Sequence, residues 1–194
     1  MDSPRLVAVL LAGGLVIAVV AGLATPHRLY QEPDHAIRLQ IIEDAGGRFL
    51  LAQVLWALML VAPAIGFVGL SRQLGASAGW LASTAAIAIG IGAGAGVLFV
   101  VWQTVDPLGF WLNGGGSWAS ALSAWLTIAA AILYGVAMLQ VAGPWAVAGF
   151  AVLGYAVIGA GALLLSAPAF FVVVGLYAVA LVPARVVLKH VPAV

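Results

Sequence analysis

The sequence predicts an all-α fold, a polytopic transmembrane bundle of six spans with a short amphipathic outer helix between the first two. Three observations carry this. The chain of 194 residues is 65% hydrophobic and 7% charged, with a mean hydropathy of +1.20, far from the roughly 25% charged residues of ordinary soluble domains. Its apolar residues fall in six runs long enough to cross a bilayer, each needing about 20 residues as a helix. Its charges are concentrated in one passage, "HRLYQEPDHAIRLQIIEDAGGR" at 27–48, which holds Arg28, Glu32, Asp34, Arg38, Glu43, Asp44 and Arg48. All 194 residues are expected to form one integral membrane domain.

Backbone groups in hydrocarbon must be paired within the chain, so runs of this length read as helices whatever their glycine and valine content. The spans are expected at about 6–25, 49–70, 79–102, 118–140, 145–165 and 168–188, with the outer connector at 26–48. The first run, behind "MDSPR", has a small-residue end near Ala24 like that of a secretory signal. It exceeds the usual apolar core of a signal, however, and is read as a retained span. Pro63, inside "LVAPAIG", frees a carbonyl one turn earlier and is expected to kink the second span. In the third, "AIAIGIGAGAGVL" contains two overlapping G-x-x-x-G patterns, Gly90 with Gly94 and Gly92 with Gly96. Small residues let helices approach closely in lipid, so these glycines are read as packing positions and the third span as the most enclosed. Gly149, Gly154 and Gly159 give the fifth span a similar small face. "NGGGS" at 113–117 is Gly-rich but has no lysine, and is read as a turn. "SAP" at 166–168 divides the last two spans, with Pro168 in the first turn of the sixth.

The first connector has its own pattern. Pro33 ends an irregular stretch and Asp34 is suited to N-cap a helix over 35–45. On it Ile37, Ile41, Ile42 and Ala45 share one side, and Gln40, Glu43 and Asp44 the other. Asp34 with Arg38, and Asp44 with Arg48 if the helix continues, have the acid-first i,i+4 order. Such a helix suits a lid over the bundle mouth, a lipid-surface element or a docking surface.

Orientation follows from basic residues near span ends. Arg5, Arg72, Arg185 and Lys189 fall on one side and Arg28, Arg38 and Arg48 on the other, which places both termini in the cytoplasm. Trp80 and Trp145 then mark the inner boundary and Trp102, Trp111 and Trp118 the outer one. One lysine against six arginines, with abundant Ala, Gly and Val, is associated with GC-rich bacterial genomes, so a bacterial inner (cell) membrane is expected.

Several functions are disfavoured. Net charge is +1 with scattered basic residues, not the footprint of a nucleic-acid binder. With Cys 0 there is no disulfide, thiolate metal site or cysteine nucleophile. No span carries an ionisable side chain near its middle, as proton relays and ion pathways generally need. His27, His35 and His190 lie in connectors or the tail, so haem ligation within the spans is not expected. His27, Glu32, Asp34 and His35 match no defined metal-site spacing, and neither a metal nor another cofactor is predicted. Tyr134, Tyr155 and Tyr177 lie within spans and are expected to donate to nearby backbone carbonyls.

One polar constellation stands out. Gln53, Gln103 and Asp106 fall at the outer ends of the second and third spans, beside the connector with His35, Arg38, Glu43, Asp44 and Arg48. These eight residues are the candidate outer-face cluster. Together with that connector helix, "GGRFLLAQVLWALMLVAPAIGFVGLSRQLG" and "GPWAVAGFAVLGYAVIGAGALLL" give the chain a layout similar to a loose group of small, uncharacterised six-span membrane proteins common in actinobacteria. The resemblance covers most of the chain and implies a cell-membrane protein, with no catalytic residues to carry over.

The leading functional expectation is a non-enzymatic accessory or scaffolding component, packed against membrane lipids and against other membrane subunits or itself. The alternative is a small-solute carrier or the substrate-binding subunit of an uptake system with an outer-face site. A lipid-directed enzyme using His35 with Glu43 or Asp106 ranks third.

Overall fold

Helix-stopping chemistry punctuates the chain, and the helices lie between the stops. The computed structural model describes residues 3–113, 117–165 and 169–189. The glycines of "NGGGS", the break at 166–168 with Pro168, and His190 lie outside the described residues, as does the side chain of Trp111. Nine helices are present among the described residues: α1 Pro4–Ala24, α2 His35–Ala45, α3 Gly47–Gln73, α4 Gly75–Val105, α5 Pro107–Asn113, α6 Ser117–Val141, α7 Pro144–Leu164, α8 Ala169–Val179 and α9 Leu181–Lys189. Six stretches are long and apolar enough to span a membrane: α1, α3, α4 from Ala78, α6 from Trp118, α7, and Val172–Lys189 across α8 and α9. The fold is an all-α transmembrane bundle.

Local chemistry explains the ends. Ser3 caps α1, its side chain accepting from Leu6 N, and Pro4 occupies the first turn, where its missing N–H costs nothing. Asp34 caps α2, accepting from Ala36 N at 2.7 Å and Ile37 N at 3.3 Å. Gly46, at φ 45° and ψ −117°, adopts a conformation closed to side-chain-bearing residues and separates α2 from α3. Because that break intervenes, Asp44 and Arg48 do not share a helix, and the i,i+4 pairing expected of them is not available. Gly79 likewise interrupts α4 near its start, φ 45°, where the third span was expected to begin. The sixth span divides at Ala180 into α8 and α9. Pro183 has no N–H for the carbonyl of Val179, which accounts for a break there.

In contact order the spans form a closed ring, α1, α3, α4, α6, α7 and α8–α9, which returns to α1, and α6 also touches α8. Of the spans α6 is the most enclosed: 56% of its apolar stretch is buried, against 39% for α4. The expectation for the third span is therefore corrected. Residues two apart on a helix point about 200° apart, so the two G-x-x-x-G patterns occupy opposite faces and only one can meet the bundle. Gly92 and Gly96 do: a Cβ on Gly92 would lie 3.2 Å from Leu126 Cβ, and one on Gly96 2.9 Å from Leu60 Cδ1. Gly90 and Gly94 face outward with nothing within 4 Å.

Glycine contacts define the other crossings. The Pro63 ring sits where a side chain on Gly14 would be, locking α1 to α3, and α3 continues as helix through Pro63. Gly135 of α6 and Gly149 of α7 meet backbone to backbone, a Cβ on Gly149 falling 2.8 Å from Gly135 O. The three tyrosines within the spans donate to main-chain carbonyls, as expected: Tyr134 to Phe67 O at 2.6 Å, Tyr177 to Leu60 O at 3.4 Å, and Tyr155 to Val172 O. Two of these reach α3 on either side of Pro63.

Candidate functional site

Two turns of helix set the depth of the candidate site. Gly96 of α4 and Leu60 of α3 pack at one level. These helices run in opposite directions, so seven residues toward the connector end lead to Gln103 on one and Gln53 on the other, about 10 Å away and on the same helix faces. Both glutamines are buried, 1% and 3% exposed. The Tyr30 hydroxyl meets Gln103, lying 3.5 Å from its Oε1 and accepting from its Nε2 at 3.4 Å. Neither Nε2 nor Oε1 of Gln53 makes a hydrogen bond of ordinary geometry, although the amide lies near enough to the Tyr30 hydroxyl to act on it.

Polar groups continue inward on α6. Ser123 Oγ is buried without a hydrogen-bond partner, and a Cβ on Gly96 would approach it to 3.0 Å, which fixes its level. Thr127, also buried, lies one turn deeper, beside Gly92. The result is a column of neutral hydrogen-bonding groups from Tyr30 through Gln53 and Gln103 to Ser123 and Thr127, inside an otherwise apolar bundle. Burying an amide without partners costs roughly 1–3 kcal/mol, so such a column is not what packing alone favours.

The connector closes over this column through a segment that sequence reasoning passed over. Arg28 adopts a left-handed conformation, φ 67°, in a turn where Gln31 N and Glu32 N donate to Arg28 O. Leu29 is 1% exposed, whereas every residue of α2 retains solvent access and Ile37 is 45% exposed. The plug is thus Leu29 with Tyr30, while α2 lies to one side against α5 and the start of α3. The available signal was the apolar pair in "RLYQ", set within a polar passage.

Of the eight candidate residues, the structure brings Gln53 and Gln103 together and spreads the others around the rim. Asp106 is exposed and caps α5, its Oδ1 accepting from Gly109 N at 2.9 Å. Arg48 donates to Ala24 O and Leu23 O, both at 3.0 Å, and so closes the C-terminus of α1. Glu43 and Asp44 are exposed on α2, and Arg38 is half-buried. His35 begins α2, and its Nδ1 is enclosed without a hydrogen-bond partner. Among the described residues, no three His, Asp or Glu side chains lie close enough together to hold a metal ion. Trp56 Nε1 donates to Thr25 Oγ1 at 3.2 Å, tying α3 to the end of α1 beneath the connector.

About half of the Tyr30 surface is exposed, but its hydroxyl points into the column. Desolvation raises the phenol pKa above its ordinary 10.0, and the Gln103 and Gln53 amides act in the opposite direction. A folded-state pKa raised above the unfolded one gives a contribution that is complete below pH 10 and is lost as pH rises through the folded value. The difference in ultraviolet phenolate titration between the wild type and Tyr30→Phe should therefore show one tyrosine titrating above free tyrosine. A difference spectrum with its midpoint at or below pH 10 would place the hydroxyl in water.

No protein-family model, curated protein or solved structure matches this chain. It is the chain's own six span-length apolar helices that identify it as a multi-pass integral membrane protein.

Proposed function

We propose that this protein binds a small, neutral, polar solute from the connector end, as a carrier or as the substrate-binding membrane subunit of an uptake system. The observation that carries this reading is the buried Gln53 amide, which lies beside Gln103 and near the Tyr30 hydroxyl while neither its Nε2 nor its Oε1 makes a hydrogen bond of ordinary geometry. An amide in an apolar interior supplies both a donor and an acceptor, and a ligand hydroxyl or amide satisfies both. The column holds no charged side chain, so a charged solute would lose hydration without compensation. A neutral one is favoured. Basic residues at the opposite end support an orientation with the termini in the cytoplasm and the connector outside.

The test separates binding from folding. Gln53→Leu should raise the ligand-free thermal stability by about 1–2 kcal/mol, because an unsatisfied buried amide is removed. It should also abolish stabilisation by whichever member of a panel of polyols, monosaccharides, nucleosides and neutral amino acids shifts the wild type. If every compound shifts the wild type and Gln53→Leu equally, the site is not a binding site.

A second reading, an accessory or scaffolding subunit, is favoured by a different observation. Gly90 and Gly94 form an open shallow stripe on the outer face of α4, flanked by the exposed Ile87, Ile91 and Leu98. Such a stripe admits another helix closely. Under this reading Gly90→Leu leaves the protein's own stability intact and releases a co-purifying subunit or a second copy. A monomer in native membranes, without a co-purifying protein, removes it.

A further inference from the structure

At the end opposite the connector the charge pattern changes completely. Among the described residues this end carries Arg5, Arg72, Arg185 and Lys189 and no carboxylate, while Glu32, Asp34, Glu43, Asp44 and Asp106 all lie at the connector end. Here the N-terminus of α7 and the outer face of α9 enclose a groove of about 280 Å³, lined by Pro144, Val147, Val182, Arg185, Val186 and Lys189. Its walls are aliphatic. Among the described residues its ionic groups are two cations, Arg185 and Lys189, four residues apart on one face of α9, about 6 Å between their Cβ atoms.

From this we infer that the groove is a binding site for one anionic phospholipid of the surrounding leaflet, its phosphate held between Arg185 and Lys189. Three features support a lipid over a free phosphate. Val147 is 68% exposed on the lipid-facing side of α7, so the groove opens sideways toward acyl chains. Val182 and Val186 line the other wall, offering contact to the first methylenes of a chain and nothing to an inorganic ion. The volume sits near the lower limit of small-molecule sites, room for a headgroup and the top of a chain while the rest stays in the bilayer. Charge supplies the selectivity: among the described residues no acid lines the groove, and its two cations favour an anionic headgroup over a zwitterionic one, which brings its own ammonium. The positive-inside bias would set this end in the cytoplasmic leaflet, whose surface is anionic. The inference is independent of solute binding at the connector end.

Two cations near a membrane boundary also act as simple interfacial anchors, and the experiment must separate the two roles. The full chain is reconstituted in nanodiscs with equal phosphatidylglycerol and phosphatidylcholine, and retained lipid is counted by native mass spectrometry after gentle delipidation. One phosphatidylglycerol should be retained with about tenfold preference. That preference should be lost in Arg185→Gln/Lys189→Gln. It should also be lost in Val147→Trp, which fills the groove and leaves both charges in place. Equal retention of the two lipids, or preference surviving in Val147→Trp, would overturn the site in favour of diffuse attraction. Thermal stabilisation by millimolar inorganic phosphate matching that by phosphatidylglycerol would overturn the lipid assignment and leave an anion site. Because Val147→Trp retains both cations, a failure of the double variant to fold does not leave the question open.

Discussion

Gly149→Ala is expected to be among the most damaging single methyl additions to this protein, lowering its stability by about 3 kcal/mol, the upper part of the usual cost of overpacking. The reason lies in what the methyl meets. A Cβ on Gly149 comes within 2.8 Å of Gly135 O and 3.0 Å of Leu139 Cγ. The leucine can shift, but a main-chain carbonyl inside α6 cannot. Relief requires α6 and α7 to separate along their crossing, and α6 is the helix on which α4, α7 and α8 all converge. Gly154→Ala, on the same helix, supplies the control, since Gly154 is exposed with nothing within 4 Å. It should be neutral, or slightly stabilising through helix propensity. Thermal unfolding of both variants in one detergent decides the matter. Equal effects would mean that α6 and α7 do not cross at these glycines.

Leu29→Ala should produce the second large effect, a loss of roughly 2–4 kcal/mol, as for other fully buried leucines. Its particular consequence is local. Leu29 is buried in the connector's first turn, 1% exposed, and its neighbour Tyr30 supplies the hydroxyl that meets Gln103. Truncating Leu29 removes the apolar anchor and should loosen the turn as a unit. Tryptic cleavage after Arg28 should accelerate, whereas Leu29→Met, similar in volume, should cleave like the wild type. Connector cleavage at an unchanged rate in Leu29→Ala would show that α2 and Arg48, not Leu29, hold the connector down.

Taken together, these residues show how far the site could be read from the sequence. Gln53 and Gln103 were visible as polar side chains at the outer ends of the second and third spans, where few uncharged polar residues occur. That rarity is itself a signal, because lipid penalises unpaired amides. Asp106 and Arg48 carried the same signal for a different reason: each closes the end of a helix, and helix-end chemistry resembles site chemistry when only residue type and position are known. Tyr30 and Leu29 were concealed by their neighbours. In a passage dominated by charge, the amphipathic pattern of α2 drew the reading toward Ile37 and Ile41, and these remain solvent-accessible. Inward placement of the Leu29–Tyr30 pair depends on the left-handed turn at Arg28, a conformation that side-chain-bearing residues seldom adopt and that residue type does not announce.

The sequence by itself determined the six apolar segments, nearly all of their boundaries and the single polar connector. A hydrocarbon solvent leaves the backbone no alternative to helix over such lengths, and residues such as Ser3, Asp34 and Gly46 mark helix ends. The tertiary structure alone decided which face of each helix looks inward. In water a helix reveals its buried side by an apolar stripe; in a bilayer lipid is as apolar as leucine, and that contrast disappears. Gly90 with Gly94 and Gly92 with Gly96 are therefore equivalent as sequence. They are distinguished only by the arrival of Leu60, Ser123 and Leu126 from other helices against one pair and not the other.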